Sequence, residues 1–442
     1  METLIRKTHA GIFTGNIREN CLEYLGIKYA ECSRFEYAKL IDNYPDCIAT
    51  KRAPSSMQKR AWDEFEHLEI PERAFYHREF RDGMEFEYDE DGLHLNIYSP
   101  KEDGCYPVIV FFHGGGFDSG SINESPYDGE QLAKRGNVVV FVQYRVGVFG
   151  YMTNESIYEK YNRDGNFGLD DMIKSLEWVR KNIDCFYGDK ANITLMGQSA
   201  GAMSIQYLLC SRLADNLFDK AVMMSGAGLF PKFSLPRNYE KTREYWHEVI
   251  SIAGCLDFEE FSALPAKKIL EAVDIQKTRR KDNTYCTMPV IDGYILEKGV
   301  DVLIKEARDL PLIIGFTNND MFTYILARMA KKYAKRHSGY LYYFDIDAKG
   351  DNNKAFHSSD IRYMFGTLST SWRPYDKNDY IASEMMMDYL SNFAKTGNPN
   401  NIGLPNWDVY KGEALCIESN EIKMGRPDTF NLIKNTLIPD PK

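Results

Sequence analysis

Asn192-Ile-Thr-Leu-Met196, Gly197-Gln198-Ser199-Ala200-Gly201 and the run onward to Leu213 form the stretch whose reading decides the fold. Asn192 to Met196 is too short for a helix and reads as a buried strand, and Gly201 to Leu213 reads as a helix. The pentapeptide between them is a GxSxG match. Alone it is weak, because ordinary glycine and serine usage produces it by chance in roughly one chain in ten of this size. Its setting between strand and helix raises it. A nucleophilic serine needs a tight, strained turn that projects its hydroxyl above a sheet, flanking glycines that avoid Cβ clashes, and a helix N-terminus that favours developing negative charge. The alternative at this point is an ordinary glycine-rich turn.

Outward from this turn the same rhythm continues. Pro107 to Phe112, Asn137 to Val142, Asp219 to Met224, Leu310 to Ile314 and Tyr340 to Asp345 bring the buried strands to six. Gly168 to Phe186 is a helix, with Leu169, Ile173, Leu176, Val179 and Ile183 at three- and four-residue spacings. Strands alternating with helices imply an α/β protein with a mostly parallel sheet covered on both faces. Ser225 to Asp309 breaks the rhythm with helix-like stretches such as Tyr239 to Ala253, and residues 226–309 are expected to form a helical cap inserted between strands. Residues 1–100 read as short strands and loops, such as Ile12 to Tyr29 and Leu93 to Tyr98. The basic stretch Arg328 to Arg336, with Leu326, Met329 and Tyr333 on one helical face, reads as a solvated helix surface rather than an anion-binding patch.

The chain has 442 residues, 54 basic and 64 acidic, for a net charge of −10. That balance argues against nucleic acid and anionic membranes as default partners. With 44 % hydrophobic and 27 % charged residues the composition is that of an ordinary globular protein. Apolar runs are strand-sized, so no membrane-spanning helix is expected, and the first residues contain no apolar core of a secretory signal. The nine cysteines are odd in number, scattered, and without a CxxC pair; they read as reduced thiols of a cytoplasmic protein, with no metal site and no cofactor expected.

Histidine positions test the nucleophile. In a chain with this elbow the order is nucleophile, acid, histidine, and only His247, His337 and His357 follow Ser199. His247 lies in a capping helix before the candidate acid, and His337 lies at the wrong end of the strand at 340. His357 follows that strand, where a general base belongs. The acid is expected just past the preceding strand, and Asp320 is the only carboxylate of the loop Gly315 to Asp320; Asp345 and Asp347 rank second. His113-Gly114-Gly115-Gly116-Phe117 closes the first sheet strand, leaving backbone amides bare to a ligand oxygen. Gly115, Gly116 and Ala200 would supply three donors to an oxyanion, each worth a factor of about 10² to 10³ in rate.

Together these residues resemble the type-B carboxylesterase family, which includes bacterial carboxylesterases related to the para-nitrobenzyl esterases and also the cholinesterases. The matching stretches run through nearly the whole chain: Tyr24 to Ala30, Asp89 to Asn96, His113 to Phe117, Tyr144 to Gly150, Gly165 to Asp170, Gly197 to Gly201, Ala355 to Asp360 and Thr396 to Asn400. The resemblance implies one α/β-hydrolase domain over residues 1–442, a Ser199–His357–Asp320 triad, and a Gly115, Gly116 and Ala200 oxyanion hole. It also matches Ser225 and Asp360 to polar positions beside the triad.

Departures from the family pattern bear on specificity. Gln198 stands where the family has Glu, and Asp320 is one methylene shorter than the usual Glu. A disulfide cysteine of eukaryotic members is missing from Asp91 to Leu93. No tryptophan occurs in Phe35 to Ile48, where cholinesterases present a choline-binding ring, so a cationic choline ester is not the expected substrate. Only 37 residues separate Asp320 from His357, which shortens one wall of the substrate gorge. The expected activity is hydrolysis of small-molecule carboxylic esters through an acyl-enzyme, with Phe117, Leu229 and Phe230 as candidate pocket residues. An acyltransferase or amidase would use the same triad, and a non-catalytic binding protein of this fold would have lost the serine or histidine. Oligomeric state is left open.

Overall fold

The computed structural model describes residues 2–59, 71–226, 236–237, 239–279, 286–299, 302, 305, 308–320 and 323–437. Thirteen strands form its main sheet. In chain order they are β1 (Glu2–Thr8), β2 (Gly11–Ile17), β3 (Leu22–Lys28), β4 (Tyr44–Ile48), β5 (His94–Ser99), β6 (Tyr106–Phe112), β7 (Val138–Val142), β8 (Gly188–Gln198), β9 (Lys220–Met224), β10 (Leu312–Thr317), β11 (Tyr340–Asp345), β12 (Ala414–Glu418) and β13 (Ile422–Gly425). Their spatial order is β1-β2-β3-β5-β7-β6-β8-β9-β10-β11-β12-β13, with β4 added beside β2. From β7 to β12 every pairing is parallel; the pairings from β1 to β7 along the sheet, and β12 with β13, are antiparallel.

The central strands are continuous apolar runs because both of their faces are covered. Val108, Val110 and Phe112 of β6 point into one core, shared with α1 (Phe167–Asn182), α2 (Ala200–Leu209) and α5 (Thr323–Arg336). Ile109 and Phe111 point into the other, under α6 (Lys377–Thr396). Each fully buried side chain of this kind contributes about 1.5–3 kcal/mol, and all five residues of β7 are completely buried. Between β9 and β10 lie α3 (Tyr239–Ile252) and α4 (Ala266–Arg279). They form a third core with Phe35, Phe149 and Phe167, in which Trp246 is fully buried.

All six strands expected from the apolar runs occur, with boundaries shifted by a few residues. A further parallel strand, β12, was not legible in Ala414-Leu-Cys-Ile-Glu418; it is stabilised by its pairing with β11 rather than by its own pattern. The expected helix 168–186 is α1 followed by one 3₁₀ turn, Ile183–Phe186. In α5 the inward face is Thr323, Ala327, Ala330, Tyr333 and Ala334. Leu326 and Met329 are only half-buried, because small residues let this helix lie close against β10.

Candidate active site

β8 ends at Gln198 and α2 begins at Ala200, so Ser199 alone turns the chain. Its backbone sits at φ 54° and ψ −122°, a conformation that costs an L-residue on the order of 1–3 kcal/mol and persists only where the surroundings enforce it. Here they do. The Ser199 amide donates to the Met224 carbonyl at 2.9 Å, and the Ser199 carbonyl accepts from the Met203 amide at 3.0 Å. A Cβ on Gly201 would lie 2.1 Å from the Phe112 oxygen, and one on Gly226 would lie 2.3 Å from the Ser199 oxygen. Helix α2 therefore presses directly against the end of β6. The Ser199 side chain makes no capping hydrogen bond, and among the described residues the Ala200 amide points free from a helix N-terminus.

Beyond β6, Gly115 and Gly116 adopt φ +118° and +65°. The Gly115 carbonyl is consumed by the amides of Asp118 and Ser119, both at 3.1 Å. The amides of Gly115, Gly116 and Ala200 have no protein acceptor among the described residues. Gly115 and Gly116 are half-exposed within an otherwise buried run from Val108 to Phe117. Phe117 itself is 2 % exposed, with its ring on Tyr151 and Tyr207; its place is in the core. Leu229 and Phe230 lie outside the described residues.

His357 is brought to Asp320 by two adjacent loops. The Asn319 amide donates to the Ala355 carbonyl at 2.8 Å, and Asn319 forms an isolated bridge with Phe356. This pins the loop after β10 to the loop after β11. His357 Nδ1 then donates to Asp320 Oδ1, whose other oxygen accepts from the Thr317 amide at 3.2 Å. With its proton on Nδ1, His357 presents Nε2 as an acceptor, and Gln198 Nε2 donates to it at 3.1 Å. Sequence reading singled out Gln198 for a missing charge and did not anticipate this contact.

The other carboxylates and histidines are engaged elsewhere. Asp345 accepts from Asn318 at 2.6 Å and Tyr343 at 2.9 Å, and Asp347 is exposed. His247 is an exposed partner of Glu155 at 2.8 Å. His337 is buried, its imidazole pushed below its ordinary range by desolvation. Asp360 is fully buried near Asp320 and His357. Tyr342 Oη donates to its Oδ2 at 2.6 Å, while Oδ1 has no hydrogen-bond partner among the described residues. Burial, helped by the nearby Asp320 charge, raises its carboxyl to about 6. Ser225, at φ 50°, is buried with its hydroxyl likewise unpartnered.

A parallel sheet with a strained serine between strand and helix at its centre defines an α/β-hydrolase. The chain belongs to the carboxylesterase family, whose model matches residues 2–332 and 321–427. It is 31 % identical over 388 residues to the para-nitrobenzyl esterase of Bacillus subtilis (strain 168), covering 73 % of this chain and 78 % of that protein. Carboxylesterase 5A of Felis catus is 29 % identical over 409 residues, covering 73 % of each chain. A solved structure of a PNB esterase superposes with a TM-score of 0.84 at 26 % identity, covering 98 % of this chain and 99 % of the other. The protein is a carboxylic ester hydrolase. Among the described residues no helix is long and apolar enough to cross a membrane.

Proposed function

We propose that ester cleavage runs through Ser199, His357 and Asp320, with the oxyanion held by the amides of Gly115, Gly116 and Ala200. The observation that carries this reading is that His357, its Nδ1 bound to a buried carboxylate, contacts Gln198, the residue just before the strained, partly exposed Ser199. His357 Nε2 takes the Ser199 proton as Oγ attacks the ester carbonyl, and Asp320 stabilises the imidazolium and its orientation. The carbonyl oxygen gains negative charge as three preorganised amides receive it. Collapse expels the alcohol, which takes the proton from His357 Nε2. Water, deprotonated by the same nitrogen, then hydrolyses the acyl-enzyme and frees Ser199.

Gln198 occupies Nε2 in the free enzyme, so the serine hydroxyl has to displace it when substrate is bound. Residues 226–309, including α3 and α4, are proposed as the cap over the site, and Ser225 and Asp360 as polar support behind the triad. A neutral Gln198 beside the reacting centre supports uncharged rather than cationic esters as substrates. Nine cysteines, all free, support a cytoplasmic setting.

The test is hydrolysis of p-nitrophenyl esters of rising acyl length by wild type and Ser199→Ala. Loss of turnover by at least about 10³-fold with an unchanged melting profile is expected; wild-type turnover in Ser199→Ala refutes the assignment.

A further inference from the structure

Three metal-ligating side chains converge far from the catalytic serine. His9 stands in the turn between β1 and β2, and Asp184 and Cys185 lie in the 3₁₀ turn after α1. His9 Nε2 is 3.1 Å from Asp184 Oδ1 and 3.3 Å from Cys185 Sγ, and the three atoms all lie within 4.8 Å of one another. We propose that they bind a zinc-class divalent cation that staples the N-terminal hairpin to the core.

The geometry suits such an ion. Tetrahedral zinc with bonds of about 2.0–2.1 Å to nitrogen, 2.0–2.2 Å to oxygen and 2.3 Å to sulfur sets N···O and N···S edges of about 3.4 and 3.5 Å. The observed separations are shorter by only about 0.2–0.3 Å, so a small outward movement of His9 admits the ion. One ring nitrogen carries at most one hydrogen, so the two contacts at Nε2 are better explained as converging ligands than as two full hydrogen bonds. The donor set of imidazole, carboxylate and thiolate favours zinc over calcium or magnesium. Three protein ligands leave a fourth position for water.

Both sides of the site are held before any ion arrives. The His9 turn is fixed by Thr8 Oγ1, which donates to the Gly11 carbonyl at 2.9 Å and accepts from the Ala10 amide at 3.1 Å. The Ala10 carbonyl accepts from the Tyr44 amide at 2.8 Å. On the other side, Lys190 Nζ holds Asp184 Oδ2 at 2.8 Å and leaves Oδ1 toward His9. His9 and Asp184 are exposed while Cys185 is 4 % exposed, so an ion enters from solvent and rests on a buried sulfur. Coordination releases the Cys185 proton to solvent as the S–metal bond forms.

Position separates this site from catalysis. Cys185 lies just before β8 and Ser199 just after it; Gly188 and Gly197 of that strand pair with Tyr106 and Phe112 of β6, which places its two ends roughly 20 Å apart at about 3.3 Å per residue. The role assigned is therefore structural.

The test uses full-length protein stripped with chelator and titrated with Co²⁺, then Zn²⁺. One equivalent of Co²⁺ is expected to develop a near-ultraviolet thiolate charge-transfer band and visible tetrahedral bands, and Zn²⁺ to displace them and raise the melting temperature. His9→Gln, at an exposed turn that does not disturb the core, and Cys185→Ser are each expected to abolish the band, with ester turnover unchanged. No band at one equivalent, or a band that survives either substitution, overturns the proposal.

Discussion

Gly201→Ala probes whether the close seating of α2 on β6 sets the catalytic geometry. The added Cβ would stand 2.1 Å from the Phe112 oxygen and 2.7 Å from the His113 oxygen. A carbon–oxygen contact normally opens to about 3.3 Å, so relief requires α2 to move by about 1 Å away from the strand. Ser199 and Ala200 ride on that helix, whereas Gly115 and Gly116 follow the strand. The proposed nucleophile and one proposed oxyanion donor therefore shift by about 1 Å against the other two, a misplacement that costs about 10²-fold in rate. Stability responds differently. Overpacking costs about 1–3 kcal/mol, while alanine improves local helix propensity by up to about 1 kcal/mol. With about 2.1 cal/mol/K of unfolding entropy per residue, a chain of 442 residues loses no more than about 3 °C in Tm. The assay pairs kcat for p-nitrophenyl acetate with a thermal melt. A kcat within about twofold of wild type would refute the reasoning; so would a collapse in Tm that accounts for the lost activity.

Asp320→Asn should lower kcat by about 10³- to 10⁴-fold through loss of the correct histidine tautomer, whereas Asp345→Asn and Asp347→Asn should remain within about threefold; kinetics showing the reverse order would move the acid to the other loop. Asp360 is raised to about 6 by burial, so the folded state holds its proton more tightly than the unfolded chain. That stabilising contribution is complete below about pH 4 and is lost as pH rises through about 6. Relative to Asp360→Asn, the wild type should therefore lose on the order of 2–3 kcal/mol between pH 4 and pH 8; parallel Tm-versus-pH curves would contradict this. The short connection between Asp320 and His357 predicts that bulky esters are accepted, and an abrupt cut-off at short acyl chains in a monomer would show that another element closes the gorge.

The alternation of short apolar runs with helical periodicity was enough to determine a parallel α/β sheet, because strand and helix type depend on neighbours a few residues apart. The elbow was legible for the same reason: strand, GxSxG and helix are contiguous, and the strain at Ser199 belongs to one residue held between them. His357 could be proposed from chain order, since few histidines follow the serine. Which carboxylate meets it was settled by Asn319 bridging to Ala355 and Phe356, a pairing of two loops that no local pattern encodes. Strand β12 required β11 to complete it, and the inward face of α5 is turned toward alanines because close approach to the sheet outweighs side-chain hydrophobicity. Gln198 on His357, and His9 on Cys185 across 176 residues, belong wholly to the tertiary structure. Short-range order is written in periodicity, but the direction of a side chain at a loop or strand end depends on which distant backbone packs beside it.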